Sequence, residues 1–150
     1  MGARSVLWRS RMFSRSAIPR ISALFLVTAA TGASAEGYGF RTPSGNIYCN
    51  GSVEAGEIGC NIVERSGPPA MPDTGACPDV WGHRVELDAR GPARVVCGPV
   101  PRKSTYTDIA PYGVSASFAA IECRSETTGL QCTNAEGHGF LLFRQNQRVW

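Results

Sequence analysis

Six cysteines, Cys49, Cys60, Cys77, Cys97, Cys123 and Cys132, constrain this chain more than any other feature. An even count in a small exported protein points to a disulfide framework. A metal site would instead draw ligands from tight cysteine pairs about two to four residues apart. The nearest two here are Cys123 and Cys132, so no metal site is expected. Six cysteines allow fifteen pairings, and strand parity narrows them, because side chains alternate between the two faces of a strand. On that rule Ile47 shares a face with Cys49, and Ile58 and Ile62 share one with Cys60. Val95 goes with Cys97, Ala119 and Ile121 with Cys123, and Leu130 with Cys132. Five cysteines therefore point towards a core. Consecutive strands usually pair, so the expected bonds are Cys49–Cys60, Cys77–Cys97 and Cys123–Cys132.

Export is read from the first 35 residues. Arg4, Arg9, Arg11, Arg15 and Arg20 precede an apolar run from Ile21 to Gly32, which ends at Ala33-Ser34-Ala35. This order describes a secretory signal peptide over residues 1–35. The run falls short of the roughly 20 apolar residues that span a bilayer, so no membrane span is expected after cleavage. No cysteine near the cleavage site supports a lipid anchor. The long basic segment also admits a start at Met12. Cleavage removes five of the 15 basic residues and none of the 12 acidic ones, turning a net charge of +3 into −2. A basic chain would invite nucleic acid as a partner; the mature one does not. The remaining residues 36–150 are of single-domain length.

Short strands between turn residues fill that domain. Gly45 to Asn50 and Ile58 to Val63 read as a hairpin, and Arg84 to Asp88 alternates polar with apolar as a half-buried strand does. Ala93 to Cys97, Gly129 to Thr133, Gly139 to Phe143 and Gln147 to Trp150 complete the set, while Ala116 to Cys123 reads as a strand or a short helix. Glu36 to Gly39 reads as a loose start. Two proline-bearing stretches, Arg65 to Val80 and Gly98 to Tyr112, are long loops. The expected fold is all-β, a small antiparallel sandwich or barrel with long loops and three disulfides. A weak echo links Ser44–Cys49 with Thr128–Cys132, each a small turn leading into an apolar strand that ends in cysteine.

The ordered blocks FRTPSGNIYC, IGCNIV, CPDVWG, PYG, IECRSETTGLQC and NAEGHGF resemble those of a family of small exported bacterial proteins of unknown function. The resemblance covers nearly all of Phe40 to Trp150, and SGNI and GHGF are its most specific parts. It implies an extracytoplasmic, disulfide-bonded, single-domain protein and carries over no catalytic residue. The ending Arg148-Val149-Trp150 departs from the more usual apolar ending of that family.

Catalytic signatures are few. Gly113-Val114-Ser115-Ala116-Ser117 fails the G-x-S-x-G elbow at its last position, and oxidised cysteines leave no thiol nucleophile. Glu54 and Glu57 read as solvated charges of a hairpin turn. His138, between Gly137 and Gly139, reads first as a turn residue and second as an exposed imidazole; His83 is read in the same way. Trp81 is a core residue beside a disulfide or, alternatively, a binding anchor. Arg102, Lys103 and Tyr106 lie between prolines on the second long loop, a composition suited to recognition. Thr42-Pro43-Ser44-Gly45 fits a type I turn. Ser44 and Asn46 are therefore read as architecture first and ligand contacts second.

The leading expectation is a periplasmic or secreted, non-catalytic binding module at the cell envelope. It would inhibit a hydrolase or attach to the wall, its partner being an envelope protein or a cell-wall component. The alternatives are a small extracytoplasmic hydrolase using His138 with a carboxylate, and a purely structural envelope protein. None of the three calls for a cofactor.

Overall fold

Alternating apolar residues between closely spaced glycines and prolines fold this chain into short antiparallel strands. The computed structural model describes residues 38–150, so the leader expected over residues 1–35 lies outside them. The strands are β1 (Tyr38–Arg41), β2 (Ile47–Ser52), β3 (Glu57–Ile62), β4 (Val80–Asp88), β5 (Arg94–Gly98), β6 (Ser115–Phe118), β7 (Ile121–Glu126), β8 (Gly129–Asn134), β9 (Gly139–Leu142) and β10 (Gln147–Val149). Two five-stranded meanders result, β1 to β5 and β6 to β10. Phe40, Ile58 and Leu87 of the first sheet share one core with Phe118, Leu130 and Phe140 of the second. The fold is an all-β sandwich. The barrel is set aside because the two sheets do not join into a closed one.

All three expected disulfides are present, a density typical of extracytoplasmic proteins. Cys49 stands directly opposite Cys60 across β2 and β3, and Cys123 opposite Cys132 across β7 and β8. Both pairs have a Cα–Cα separation of 4.1 Å, near the closer, non-hydrogen-bonded spacing of an antiparallel ladder. These four cysteines are buried. Cys97 is only half-buried, against expectation. It lies on the edge strand β5 and holds Cys77 of the first long loop.

The two sheets repeat one plan, a meander whose second and third strands are crosslinked. Ile47-Tyr48-Cys49 of β2 corresponds to Ile121-Glu122-Cys123 of β7, and Ile58-Gly59-Cys60 of β3 to Leu130-Gln131-Cys132 of β8. The echo between Ser44–Cys49 and Thr128–Cys132 therefore joins positions that are not equivalent. Cys49 lies on the second strand of its sheet and Cys132 on the third of the other.

Three elements differ from expectation. Tyr38 to Arg41 is a strand because β2 supplies its ladder, with Phe40 opposite Cys49. The segment read as one strand or helix over Ala116 to Cys123 is a tight hairpin, β6 and β7, turning at Ala119 and Ala120. Ala119 takes a φ of +53°, a conformation that glycine or asparagine would ordinarily signal. Strand β4 starts at Val80 instead of Arg84 and passes a register shift that includes Gly82, at φ +82°.

One end of the sandwich is closed by Asn134, which is buried. Its amide donates to Asp88 O at 3.1 Å and Gly91 O at 2.8 Å, in the turn between β4 and β5. Its Oδ1 accepts from the backbone N–H groups of Glu136 and His138, both at 3.1 Å. All four bonding positions of the amide are thus filled, and the two sheets are tied. Gln147 on β10 is the opposite case, a buried amide that makes no hydrogen bond to protein among the described residues.

The contrast sets two stability predictions. Asn134→Ala strands four backbone groups and is expected to lower the unfolding free energy by about 3 kcal/mol. Gln147→Met removes an unsatisfied amide at similar volume and is expected to raise it by about 1 kcal/mol. Urea denaturation of the oxidised variants checks both, and a neutral or destabilising Gln147→Met would refute the second.

Candidate functional site

The residues singled out in the sequence lie in different parts of the sandwich. Arg102 and Lys103 are exposed on the second long loop. Tyr106 is half-buried: its ring covers Gly39, where a Cβ would come within 2.2 Å of it. Its hydroxyl accepts from Asn50 Nδ2 at 2.9 Å, and its carbonyl from Arg41 Nε at 3.0 Å. Tyr106 thus pins its loop along β1, and Arg41 N–H donates to Asp108 O there. Trp81 is half-buried and donates its indole N–H to Met71 O at 2.8 Å. His83 and Trp81 O both bond Arg65, which braces the proline-rich loop. His138 lies in the turn between β8 and β9, its backbone held by Asn134. Its imidazole forms no hydrogen bond with a carboxylate among the described residues. Among those residues, too, no cluster of three or more His, Cys, Asp or Glu is placed to hold a metal ion.

A cleft of about 190 Å³ opens at the end of the sandwich opposite Asn134. It is built by the turn before β2, the segment before β6, the turn between β7 and β8, and the turn between β9 and β10. These bring Ser44, Tyr112, Thr127, Phe143, Arg144 and Gln145 together over the side chain of Ile47.

Local chemistry explains the first wall. Gly45 N–H donates to Thr42 O at 2.9 Å, which closes the expected turn. The buried Thr42 hydroxyl bonds Ile47 O and lies 3.2 Å from Ser44 Oγ, which in turn accepts from Asn46 N–H. Asn46 turns both ends of its amide to one residue, donating to Glu64 O at 2.9 Å and accepting from Glu64 N–H at 2.8 Å. It extends the β2–β3 ladder by one side chain, so its role is architectural.

The opposite wall depends on Gly129, at φ +126°, where a Cβ would stand 2.4 Å from Leu142 O. Only glycine lets the β7–β8 turn lie so close to the end of β9. The β9–β10 turn is then clasped to the first sheet. Ser66 and Gly67 N–H both donate to Arg144 O, and the Arg144 guanidinium pairs with Glu64.

The polar groups of the cleft fall into two sets. Thr42 and Asn46 are committed to the fold, and the charges are paired, Arg144 with Glu64 and Glu126 with Arg124. The side chains of Tyr112, Thr127 and Gln145 make no hydrogen bond to protein among the described residues. Each of the three can both donate and accept. The cleft thus offers a charge-balanced surface of free hydroxyl and amide groups beside two aromatic rings, Tyr112 and Phe143.

Sequence reasoning reached only Ser44 and Asn46 of this wall. Tyr112 and Thr127 stand inside blocks quoted for their resemblance, PYG and IECRSETTGLQC, yet nothing in the chain order puts those blocks side by side. Gln145 carries no sequence signal at all.

A family model described as a family of unknown function (DUF6636) matches residues 20–150. No curated protein and no solved structure matches the chain.

Gly129→Ala forces a side chain into the Leu142 carbonyl at a positive φ. It is expected to cost about 2–4 kcal/mol and to displace the Thr127 wall. Chemical denaturation measures the first effect, and amide shifts of Thr127 and Gln145 report the second. Wild-type stability for this variant would show that the turn has room the geometry denies it.

Proposed function

The chain belongs to this family of unknown function, and on that premise we propose that it is an exported, non-catalytic binding module. The cleft beside Ser44 takes a neutral, hydroxyl-rich ligand, namely one sugar unit of a cell-envelope polysaccharide. The compartment is periplasmic or secreted, in keeping with three disulfides and with the basic, apolar leader pattern.

The observation that carries this reading is the set of uncommitted groups in the cleft. Sugar hydroxyls both donate and accept, as do Tyr112, Thr127 and Gln145. Paired charges at the rim favour a neutral ligand over an ionic one, since an ion would have to displace Glu64 from Arg144 or Arg124 from Glu126. The faces of Tyr112 and Phe143 suit the apolar face of a pyranose ring. The volume, about 190 Å³, lies below the roughly 300–1,000 Å³ of sites for drug-sized molecules. One ring or a chain end fits that space.

Titration of the purified, oxidised protein with neutral envelope oligosaccharides, followed by amide NMR, tests the proposal. Shifts are expected at Ser44, Tyr112, Thr127 and Gln145. Tyr112→Ala is expected to weaken binding about tenfold, the loss of one aromatic contact of ~1.4 kcal/mol, with an unchanged melting temperature because Tyr112 is exposed. Saccharides that shift only residues outside the cleft, or none at millimolar concentration, would refute it.

A further inference from the structure

The edge of the second sheet carries an observation independent of the cleft. From Ile109 to Ile121 the chain runs thirteen residues without a charge. Ten of them are exposed, an unusual condition for so long a neutral run. Strand β6 lies in its middle and forms the outermost strand of its sheet.

Natural sheets protect their edges with charges, prolines, bulges or covering segments. Strand β1, the outer strand of the other sheet on the same side, is covered. Arg41 N–H donates to Asp108 O and Arg41 O accepts from Ala110 N–H, both at 2.9 Å. Strand β5 carries Arg94 and is stapled to the proline-rich loop through Cys97. Strand β6, Ser115-Ala116-Ser117-Phe118, carries no charge or proline, and no segment among the described residues covers it. A bulge at Gly113 and Val114 opposite Ser125 lies just before it.

Ladder parity identifies its free groups. Ser125 N–H donates to Val114 O, while Val114 N–H turns back to Pro111 O, so the Val114 carbonyl and the backbone groups of Ala116 and Phe118 face β7. Ser115 and Ser117 then direct theirs outwards. Both serines are exposed. Below this edge lies an apolar groove of about 150 Å³ between the two sheets, lined by Tyr38, Phe40, Ile109, Val114, Ala116 and Phe118. Tyr38, Ile109 and Val114 are 49, 47 and 47% exposed, a large apolar exposure for neighbouring side chains.

We propose that β6 pairs antiparallel with β6 of a second copy, joining two sheets into one of ten strands around a two-fold axis at Ala116. Ser115 then exchanges backbone hydrogen bonds with Ser117 of the other copy, the pairing their outward groups require. Ala116 meets its own counterpart at the close, non-hydrogen-bonded position, where a small side chain fits. Val114 comes opposite Phe118 of the other copy, and the two apolar grooves become one.

A second copy is the occupant that the charges favour. A two-fold contact places each residue near its own equivalent, so a charge near the axis would meet itself, and the run from Ile109 to Ile121 has none. Glu122 neighbours Ser117, and Arg124 neighbours Ser115. The two-fold therefore puts Glu122 of one copy in the same cross-strand row as Arg124 of the other. Opposite signs share each row, and no like charges are brought together.

Sedimentation velocity of the purified, oxidised protein from about 1 µM to 1 mM tests this over the range expected of a small interface. A reversible monomer–dimer equilibrium is expected. Ser117→Pro removes one outward N–H that the monomer does not use, and Ala116→Lys sets like charges at the axis. Both should abolish the dimer at every concentration while circular dichroism at 1 µM, where the protein is monomeric, stays unchanged. A protein monomeric up to 1 mM, or a dimer that survives both substitutions, would overturn the proposal. So would a monomer that instead captures an unrelated extended peptide along β6. Saccharide binding at Tyr112 is unaffected by either substitution, which separates this result from that of the cleft.

Discussion

Two buried disulfides set the registers on which the rest of the sandwich is built. Each joins cysteines that stand directly opposite one another on the second and third strands of a five-stranded sheet. A slip of one residue in either hairpin would send its apolar set to the solvent face, and a crosslink between opposed residues forbids the slip. The chain-entropy account gives about 3 kcal/mol for closing a loop of about 15 residues. The separations here, 11 and 9 residues, are slightly shorter. Their larger effect is positional. With Cys49 and Cys123 fixed on the inner faces, Ile47, Ile58, Ile121 and Leu130 are buried by parity, and the core follows.

Closure of the two ends follows different rules. At one end Asn134 satisfies all its hydrogen bonds across the two sheets, leaving no free polar group of its own. At the other, Arg144 and Glu64 clasp the sheets through a surface ion pair and two backbone bonds to one carbonyl. Exposed pairs of this kind contribute little stability, so the clasp positions more than it holds. The result is a rigid frame with a small open cleft at its less firmly bound end, where Tyr112, Thr127 and Gln145 keep their bonding capacity. Ligand sites are commonly carried by such connecting turns on a stable scaffold.

Much of the framework was legible because its signals are local. The turn at Thr42–Gly45 needs only a proline at its second position and a glycine at its fourth, and it forms with the expected hydrogen bond. Both proline-bearing segments are loops, since proline cannot donate to a ladder. The β6–β7 hairpin escaped notice because Ala119 adopts a positive φ without the residue types that announce one. Strand β1 escaped because four residues carry little periodicity, and their pairing partner lies across a turn. The candidate site was legible only at Ser44 and Asn46, and Asn46 proved to be committed to Glu64. Tyr106, read as a recognition residue, has its ring seated over Gly39 and its hydroxyl on Asn50; no motif announces a close approach between residues so far apart.

By itself the sequence determined the all-β class, the three disulfide pairs and which long segments are loops. These depend on parity, proline and spacing, which act within a few residues of chain. Tertiary structure alone decided that the sheets stack as a sandwich, that Gly129 lets one turn approach β9, and that Tyr112, Thr127 and Gln145 share one cleft. It also decided which edge was left uncovered among the described residues, since β1 is sheltered by the loop that Tyr106 pins and β6 has no such cover there. The physical reason is the same in each case. Non-local contacts depend on how whole sheets pack, and the residues that meet there are chosen by shape and by unspent hydrogen bonds, neither of which leaves a period in the chain.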